Sequence, residues 1–412
     1  MAATRTVQCC IAGGGPAGLM LGYLLARAGV KVVVLEKHSD FLRDFRGDTI
    51  HPSTLEVMHE LGLLDGLLAL PHQKVSRLTA QFGEERAPLA DFSGLDVRCP
   101  FIAMMPQWDF LNFLASEARR FPGFELLMDA EAIELRTENG HVTGVCAETR
   151  DGPLDIACQL TVGADGRGSV LRAKSGLKVE DIGAPMDALW FRLSRKPSDT
   201  SETQGRFDRG RIFVMLNRGD YWQCAYVIAK GSLDTMRSAG LDAFRSSLGK
   251  LLPVEADRAS DITSFDDLKL LSVRVDRLTT WHKPGLLFIG DAAHAMSPVG
   301  GVGINLAIQD AVAAANILAK SLLRNRVDPG VLQLVQRRRL FPTQATQAMQ
   351  VLVQNRIIAP ALQAGGSAEP LRPPLAFRLL SKFPSLRRYP ARLMGLGVRP
   401  EHVAQFIRDA NG

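Results

Sequence analysis

No apolar run in this sequence approaches the ~18 residues that span a bilayer, so nothing in it reads as a transmembrane helix. A leader signature is missing too. The first apolar stretch is cut by Gly13, Gly14 and Gly15, and no charged segment with a cleavage site precedes it, so a signal peptide is not expected. Cysteine is scarce, six in 412 residues, with no CxxC pair. Cys9, Cys10, Cys99, Cys146, Cys158 and Cys224 therefore read as reduced, buried thiols of a cytoplasmic protein rather than a disulfide framework or a zinc site, and no metal is expected. Cys9 and Cys10 adjoin in one strand and must point to opposite faces. Internal repeats and low-complexity tracts are absent. No nucleic-acid recognition motif accompanies the basic charge, so nucleic acid is not an expected partner.

What remains is an ordinary globular composition, 46% hydrophobic and 22% charged, long enough for two or three domains. The net charge of +6 is unevenly placed: residues 331–412 hold twelve Lys/Arg against Glu369, Glu401 and Asp409. Three readings stand open for it: a solvated basic face, attraction of an anionic cofactor such as NAD(P)H, or peripheral contact with an anionic membrane surface.

Residues 6–12 read as a buried strand, 16–28 as a helix apolar all round and stopped by Gly29, and 30–35 as a second buried strand. That β-α-β unit implies a parallel sheet. Residues 53–69 and 108–120 have helical spacing. Residues 124–136 and 141–148 are strands around Asn139-Gly140, a hairpin signal, and 154–163 is a strand entering the turn Ala164-Asp165-Gly166. Residues 187–275 are rich in short strands and read as a mostly antiparallel sheet. A buried strand returns at 285–290, a long helix runs from Gly303 to Leu323, and the remainder is helical, then broken into short pieces by Pro370, Pro373, Pro374, Pro384, Pro390 and Pro400.

Gly13-Gly14-Gly15-Pro16-Ala17-Gly18 follows a strand, opens a helix and matches G-x-G-x-x-G, with Glu36 ending the next strand. The glycines allow a tight turn and close backbone approach to a pyrophosphate, held by free N–H groups and the positive end of the helix dipole. Glu36 would accept from ribose hydroxyls, with Lys37 beside it. The motif alone does not separate FAD from NAD. The stretch 288–311 does. A strand ends at Gly290-Asp291, where a carboxylate can hold polyol hydroxyls such as those of a ribitol. A loop through Pro298, Gly300, Gly301 and Gly303 then delivers a second helix N-terminus at Ile304-Asn305, whose N–H groups can stabilise a flavin ring that becomes anionic on reduction. Both motifs serve one ligand only if their strands are neighbours, which makes the nucleotide domain discontinuous.

With Asp165-Gly166 between them, these motifs resemble the aromatic-hydroxylase family of FAD-dependent monooxygenases, the para-hydroxybenzoate hydroxylase type, from residue 5 to about 330. The resemblance implies an α/β fold: a Rossmann-like, discontinuous FAD-binding domain (1–75, 95–180, 280–325), an inserted, mostly antiparallel substrate-binding sheet (76–94, 181–279) and a helical C-terminal region (326–412). It also implies site roles by position. Arg46 contacts the flavin and its phosphates, and Gly47, Asp48 and Thr49 line the isoalloxazine edge. Gln107 holds the ribityl-phosphate region, Ala132 touches the adenine through its backbone, and Asp165 ties the turn beneath the pyrophosphate. His294 braces the loop near the flavin rather than acting as a base.

The implied cofactor is one non-covalent FAD with NAD(P)H as transient reductant. The implied cycle runs through a flavin C4a-hydroperoxide that hydroxylates an aromatic, polycyclic or quinone-like small molecule with O₂. No second G-x-G-x-x-G exists for NAD(P)H, in line with the family. Trp190, Arg192, Met215, Trp222, Gln223 and Tyr226, on strands of the middle sheet, are the candidate substrate contacts. No tyrosine pair for phenol deprotonation is found, so no catalytic acid or base is assigned. The extra C-terminal domain of the larger phenol hydroxylases is not expected. Alternatives are epoxidation, ring oxidation or reduction by a related oxidoreductase, or a non-catalytic FAD-binding protein. A halogenase is disfavoured, because WxWxIP and a suitably placed loop lysine are missing.

Overall fold

The computed structural model describes residues 3–42, 48–200, 203–363 and 372–410. Among these, the first sheet has eight strands. Ala3–Ala12 lies at its centre, parallel to Val32–Leu35 on one side and to Gly152–Gly163 on the other. Leu286–Phe288 adds to the outer edge of Gly152–Gly163, and Phe124–Leu127 to that of Val32–Leu35. Parallel strands are buried on both faces and so read as unbroken apolar runs. Val32–Leu35 is buried throughout, and Cys9 and Cys10, on opposite faces, are both 0% exposed. Helix Pro16–Arg27 packs against Gly303–Leu323 and Gln107–Ala118. The segment Val299–Leu323 is apolar and long enough to cross a membrane, but 83% of its apolar window is buried, as in a core helix.

The Asn139-Gly140 hairpin forms between Glu131–Glu138 and His141–Thr149. Both turn residues are left-handed (φ 50° and 78°), the geometry that favours this dipeptide. The helix expected over 53–69 is instead two, Pro52–Glu60 and Leu64–Leu68, because Gly62 turns left-handed (φ 74°) and ends the first. Pro370 lies outside the described residues; Pro373, Pro374, Pro384 and Pro400 divide the C-terminal stretch as expected, and Pro390 does not. It lies in the first turn of helix Arg388–Gly395, where an N–H has no intrahelical acceptor to lose.

The second sheet has seven strands, in the order Lys269–Leu271, Met186–Ser194, Tyr221–Ala229, Arg211–Asn217, Gln204–Asp208, Arg77–Phe82, Glu85–Asp91. It is antiparallel except where Gln204–Asp208 runs parallel to Arg77–Phe82. Strand alternation divides its side chains between two faces. Leu189, Phe191, Met215, Trp222, Cys224 and Tyr226 share a core with Phe244 and Leu248 of helix Leu241–Gly249. Trp190, Val214, Leu216, Gln223 and Ala225 alternate with them and belong to the opposite face.

Behind the core face, Arg258 grips Asp199 with two bonds, 2.9 and 3.1 Å, their side chains only 3% and 7% exposed, while Trp222 Nε1 donates to the same carboxylate at 3.1 Å. Arg258→Leu strands a buried carboxylate and is expected to lower stability by about 3–5 kcal/mol, read as the urea midpoint followed by tryptophan fluorescence. An unchanged midpoint would show that the pair carries no stability.

Candidate active site

The first turn is built by backbone contact. Gly13 has φ +108°, and a Cβ there would lie 2.3 Å from the Ala164 carbonyl oxygen; one on Gly18 would lie 1.9 Å from the Gly13 oxygen. Gly13 N donates to Leu35 O at 2.8 Å and Ala164 N to Ala12 O at 2.7 Å, which fastens three strand ends together. Gly15 differs: it caps helix Pro16–Arg27 without a side-chain bond, and a Cβ there would meet nothing within 4 Å. The N–H groups of Ala17 and Gly18, in the first turn of this helix, have no intrahelical acceptor and stand at the positive end of its dipole.

Glu36, 8% exposed, accepts from Gly14 N at 3.1 Å through Oε2 and from His38 N at 3.1 Å through Oε1, so it braces this turn as well as marking its edge. Lys37 points elsewhere, toward Glu131 at 3.7 Å. Ala130 N bonds Glu36 O at 2.9 Å, which sets the start of the Ala132 strand beside the acid.

At the second turn, Asp165 Oδ2 accepts from Leu171 N at 3.3 Å and so ties the turn to helix Val170–Ser175. Burial lifts its carboxyl above the usual range, partly offset by Ser169 and backbone N–H groups. Arg167, unmarked by any motif, bonds Asp291 at 2.9 Å with both side chains about 30% exposed, which joins the second and third motifs.

At the third, Gly290 (φ +58°) lets the strand end abut the first helix; a Cβ would stand 3.0 Å from that of Ala17. Asp310, fully buried, accepts from Gly290 N at 3.1 Å, His294 Nε2 at 2.6 Å and Arg339 Nε at 2.9 Å. Burial works to raise this carboxyl, but His294 and Arg339 outweigh it and hold it below the ordinary range. His294 is 1% exposed, with its ring centroid 4.9 Å from that of Trp281, so its place is inside the wall.

The loop beyond is stapled on two sides. Thr49 Oγ1 donates to Gly301 O at 2.9 Å, and Asn305 Oδ1 accepts from His51 N at 2.8 Å and Thr54 Oγ1 at 2.7 Å. From helix Pro329–Val353, Gln350 Nε2 donates to Ser297 O and Val299 O, both at 2.9 Å, and Gln347 to Ala295 O at 3.1 Å. These glutamines escaped the sequence reading; their only signal is polar residues three apart on a buried face. Pro298 leads into the turn Val299–Gly301, and helix Gly303–Leu323 starts without a side-chain cap, which leaves the N–H groups of Gly303, Ile304 and Asn305 at its end.

Asp48, 7% exposed, accepts from Gln107 N at 3.2 Å and pairs with Arg218, which donates on to Gln223 at 2.8 Å. Burial raises the Asp48 carboxyl, and Arg218 offsets part of that. Arg218 was not anticipated, since a loop arginine looks like solvated charge. Arg46 and Gly47 lie outside the described residues. The six substrate candidates separate. Met215, Trp222 and Tyr226 are turned into the far core with Phe244 and do not line this side, because a strand sends alternate residues to opposite faces. Trp190 and Gln223 are on the near face. Arg192 shares it but is exposed, stacked over Tyr221 at 4.7 Å.

Two uncapped helix N-termini, a carboxylate at a strand end, and the open space beside Gly15 fit a dinucleotide carrying a flavin. The comparisons agree. A family model for the FAD binding domain matches residues 6–349. 6-Methylpretetramide 4-monooxygenase of Streptomyces rimosus is 30% identical over 381 residues, 92% of this chain and 90% of that one. The rifampicin monooxygenase of Streptomyces venezuelae is 30% identical over 321 residues, 73% of this chain but 61% of its own length. Among solved structures, the anhydrotetracycline hydroxylase OxyS of Streptomyces rimosus aligns with TM-score 0.75 at 24% identity, covering 97% of this chain and 78% of that one. PqsL of Pseudomonas aeruginosa aligns with TM-score 0.73 at 22% identity, covering 88% and 99%. The fold is that of an FAD-binding oxidoreductase. The chain belongs to the FAD-dependent aromatic-hydroxylase family, the class A flavoprotein monooxygenases.

His51, fully buried where the 48–54 segment meets the C-terminal region, bonds Met394 O through Nδ1 at 2.9 Å. Burial pushes its pKa from 6.5 to about 4, against that bond. A group neutral in the folded state and protonated in the unfolded one contributes stability above pH 6.5 that is lost as pH falls toward 4, roughly 3 kcal/mol in full. Urea midpoints across that window should show the loss, and His51→Asn, which keeps a donor for Met394, should flatten it. An unaltered pH profile in the variant would assign the loss elsewhere.

Proposed function

We propose that this chain uses NAD(P)H and O₂ to hydroxylate an electron-rich polycyclic aromatic or quinone-like small molecule. One observation carries the reading: a relative 30% identical along 92% of the chain is, by its name, a monooxygenase of 6-methylpretetramide. The rifampicin and anhydrotetracycline enzymes among the relatives bear names of the same kind.

Bound FAD supplies the electron transfer and oxygen activation. The N–H groups of Ala17 and Gly18 hold its pyrophosphate, Glu36 its ribose and Asp291, oriented by Arg167, its ribitol. The N–H groups of Gly303, Ile304 and Asn305 meet negative charge on the ring, from a loop that Thr49, Gln347 and Gln350 keep in place. Trp190, Val214 and Ala225 are cross-strand neighbours on the near face and form an apolar floor that keeps water from the reacting atoms. Arg218 and Gln223 fix that floor to Asp48. NAD(P)H docks transiently as the reductant.

Purified protein supplied with NADPH or NADH, alone and with a tetracyclic polyketide aromatic, tests this directly. Aromatic-stimulated NAD(P)H oxidation, matched by O₂ uptake and by ¹⁸O from labelled O₂ in the product, is expected. Oxidation without incorporation would favour a related oxidoreductase, and no turnover with either donor a binding role. In a flavin titration, Asp291→Ala should weaken FAD ten- to a hundred-fold, about 1.5–3 kcal/mol for a charge-assisted bond. His294→Ala should weaken it less; equal effects would refute the ranking.

A further inference from the structure

The C-terminal region carries a surface that none of these roles uses. Helices Leu375–Lys382 and Arg388–Gly395 both pack on Glu85–Asp91, the edge strand of the second sheet. Phe377 faces inward, its ring 5.6 Å from that of Phe82, and Ala391 is fully buried beside Phe92. With those faces on the strand, the outer faces turn to solvent. There the exposures are Leu375 69%, Leu379 43%, Phe383 46%, Leu386 37%, Tyr389 57% and Leu393 36%. Single exposed leucines are ordinary; six large apolar side chains within nineteen residues are not.

Exposed cations interleave with them. Arg378 and Lys382 lie three and seven positions after Leu375, and Arg388 and Arg392 alternate with Tyr389 and Leu393, so helical spacing puts charge and apolar surface side by side. From Arg372 to Pro400 the sequence has seven Lys/Arg and no Asp or Glu. A solvated basic face would account for the charge but not for the apolar residues.

We propose that this face docks on the anionic surface of a phospholipid bilayer. Leu375, Leu379, Phe383 and Tyr389 enter the headgroup boundary while the arginine and lysine stems reach up to lipid phosphates. Charge decides against the other occupant the patch offers, a second copy of this chain. A two-fold contact would set these cations against the same cations with no acid from the segment to answer them. An anionic leaflet attracts them all, at a gain that makes each cation worth about five-fold in binding.

The test uses the FAD-loaded full chain in co-sedimentation with vesicles of phosphatidylcholine, with and without an equal part of phosphatidylglycerol. Binding to the mixed vesicles, little to phosphatidylcholine alone, and release by salt are expected. Arg378→Gln and Arg388→Gln should each weaken binding about five-fold, and the double variant Leu379→Asp/Phe383→Asp should abolish it, with flavin absorbance and circular dichroism unchanged. The proposal is overturned if the wild type ignores the anionic vesicles or if the variants bind equally. It is also overturned if the wild type is a dimer in solution that Phe383→Asp dissolves while vesicles bind neither form.

Discussion

The site depends on one constraint: at the carboxyl ends of three neighbouring parallel strands, the chain passes too close to its neighbours to carry a side chain. The space a Cβ would need is filled by backbone at Gly13 (the Ala164 carbonyl) and at Gly18 (the Gly13 carbonyl). At Gly290 it is crowded by the Ala17 side chain, whose Cβ would stand 3.0 Å away. Because these contacts close, segments 13–18, 164–167 and 290–291 become one surface although they are separated by more than a hundred residues each. Two helices then start from that surface without side-chain caps, so their unsatisfied N–H groups and dipoles serve a ligand instead.

Buried charge holds this arrangement in register. Asp310 ties Gly290, His294 and Arg339 together inside the wall, and Arg339 reaches Glu401 at 3.3 Å, which binds the strand-end turn to the C-terminal segment. Asp48, Arg218 and Gln223 do the same between the nucleotide side and the second sheet. Such clusters add little net stability over well-packed apolar residues, but breaking one leaves a stranded charge, so they make misplacement costly. A rigid frame of that kind suits a reaction in which the cofactor does the chemistry and the protein sets distance and dryness.

The parts legible in the sequence are those where backbone geometry dictates residue type. Glycines at Gly13, Gly18 and Gly290, the Asn139-Gly140 turn and the apolar run Val32–Leu35 each leave a mark in the local sequence, even where the contact that requires it is distant. The family resemblance followed from the order of such signals. What stayed hidden depends on which way a side chain points across a long sequence distance. Trp222 and Tyr226 are aromatic and lie on the right strand, yet one residue of register sends them to the far core and Gln223 to the near face. Arg167, Arg218, Gln347 and Gln350 carry no motif, since a charged or amide side chain looks alike in solvent and in a network until its partner, tens to hundreds of residues away, is known.

The absorption spectrum of the purified protein before and after acid precipitation tests the central claim most directly, that three separate segments hold FAD without a covalent bond. A yellow protein is expected, with FAD equimolar to chain and all of it released to the supernatant. A colourless protein that takes up no added FAD, or flavin that stays with the precipitated polypeptide, would contradict it.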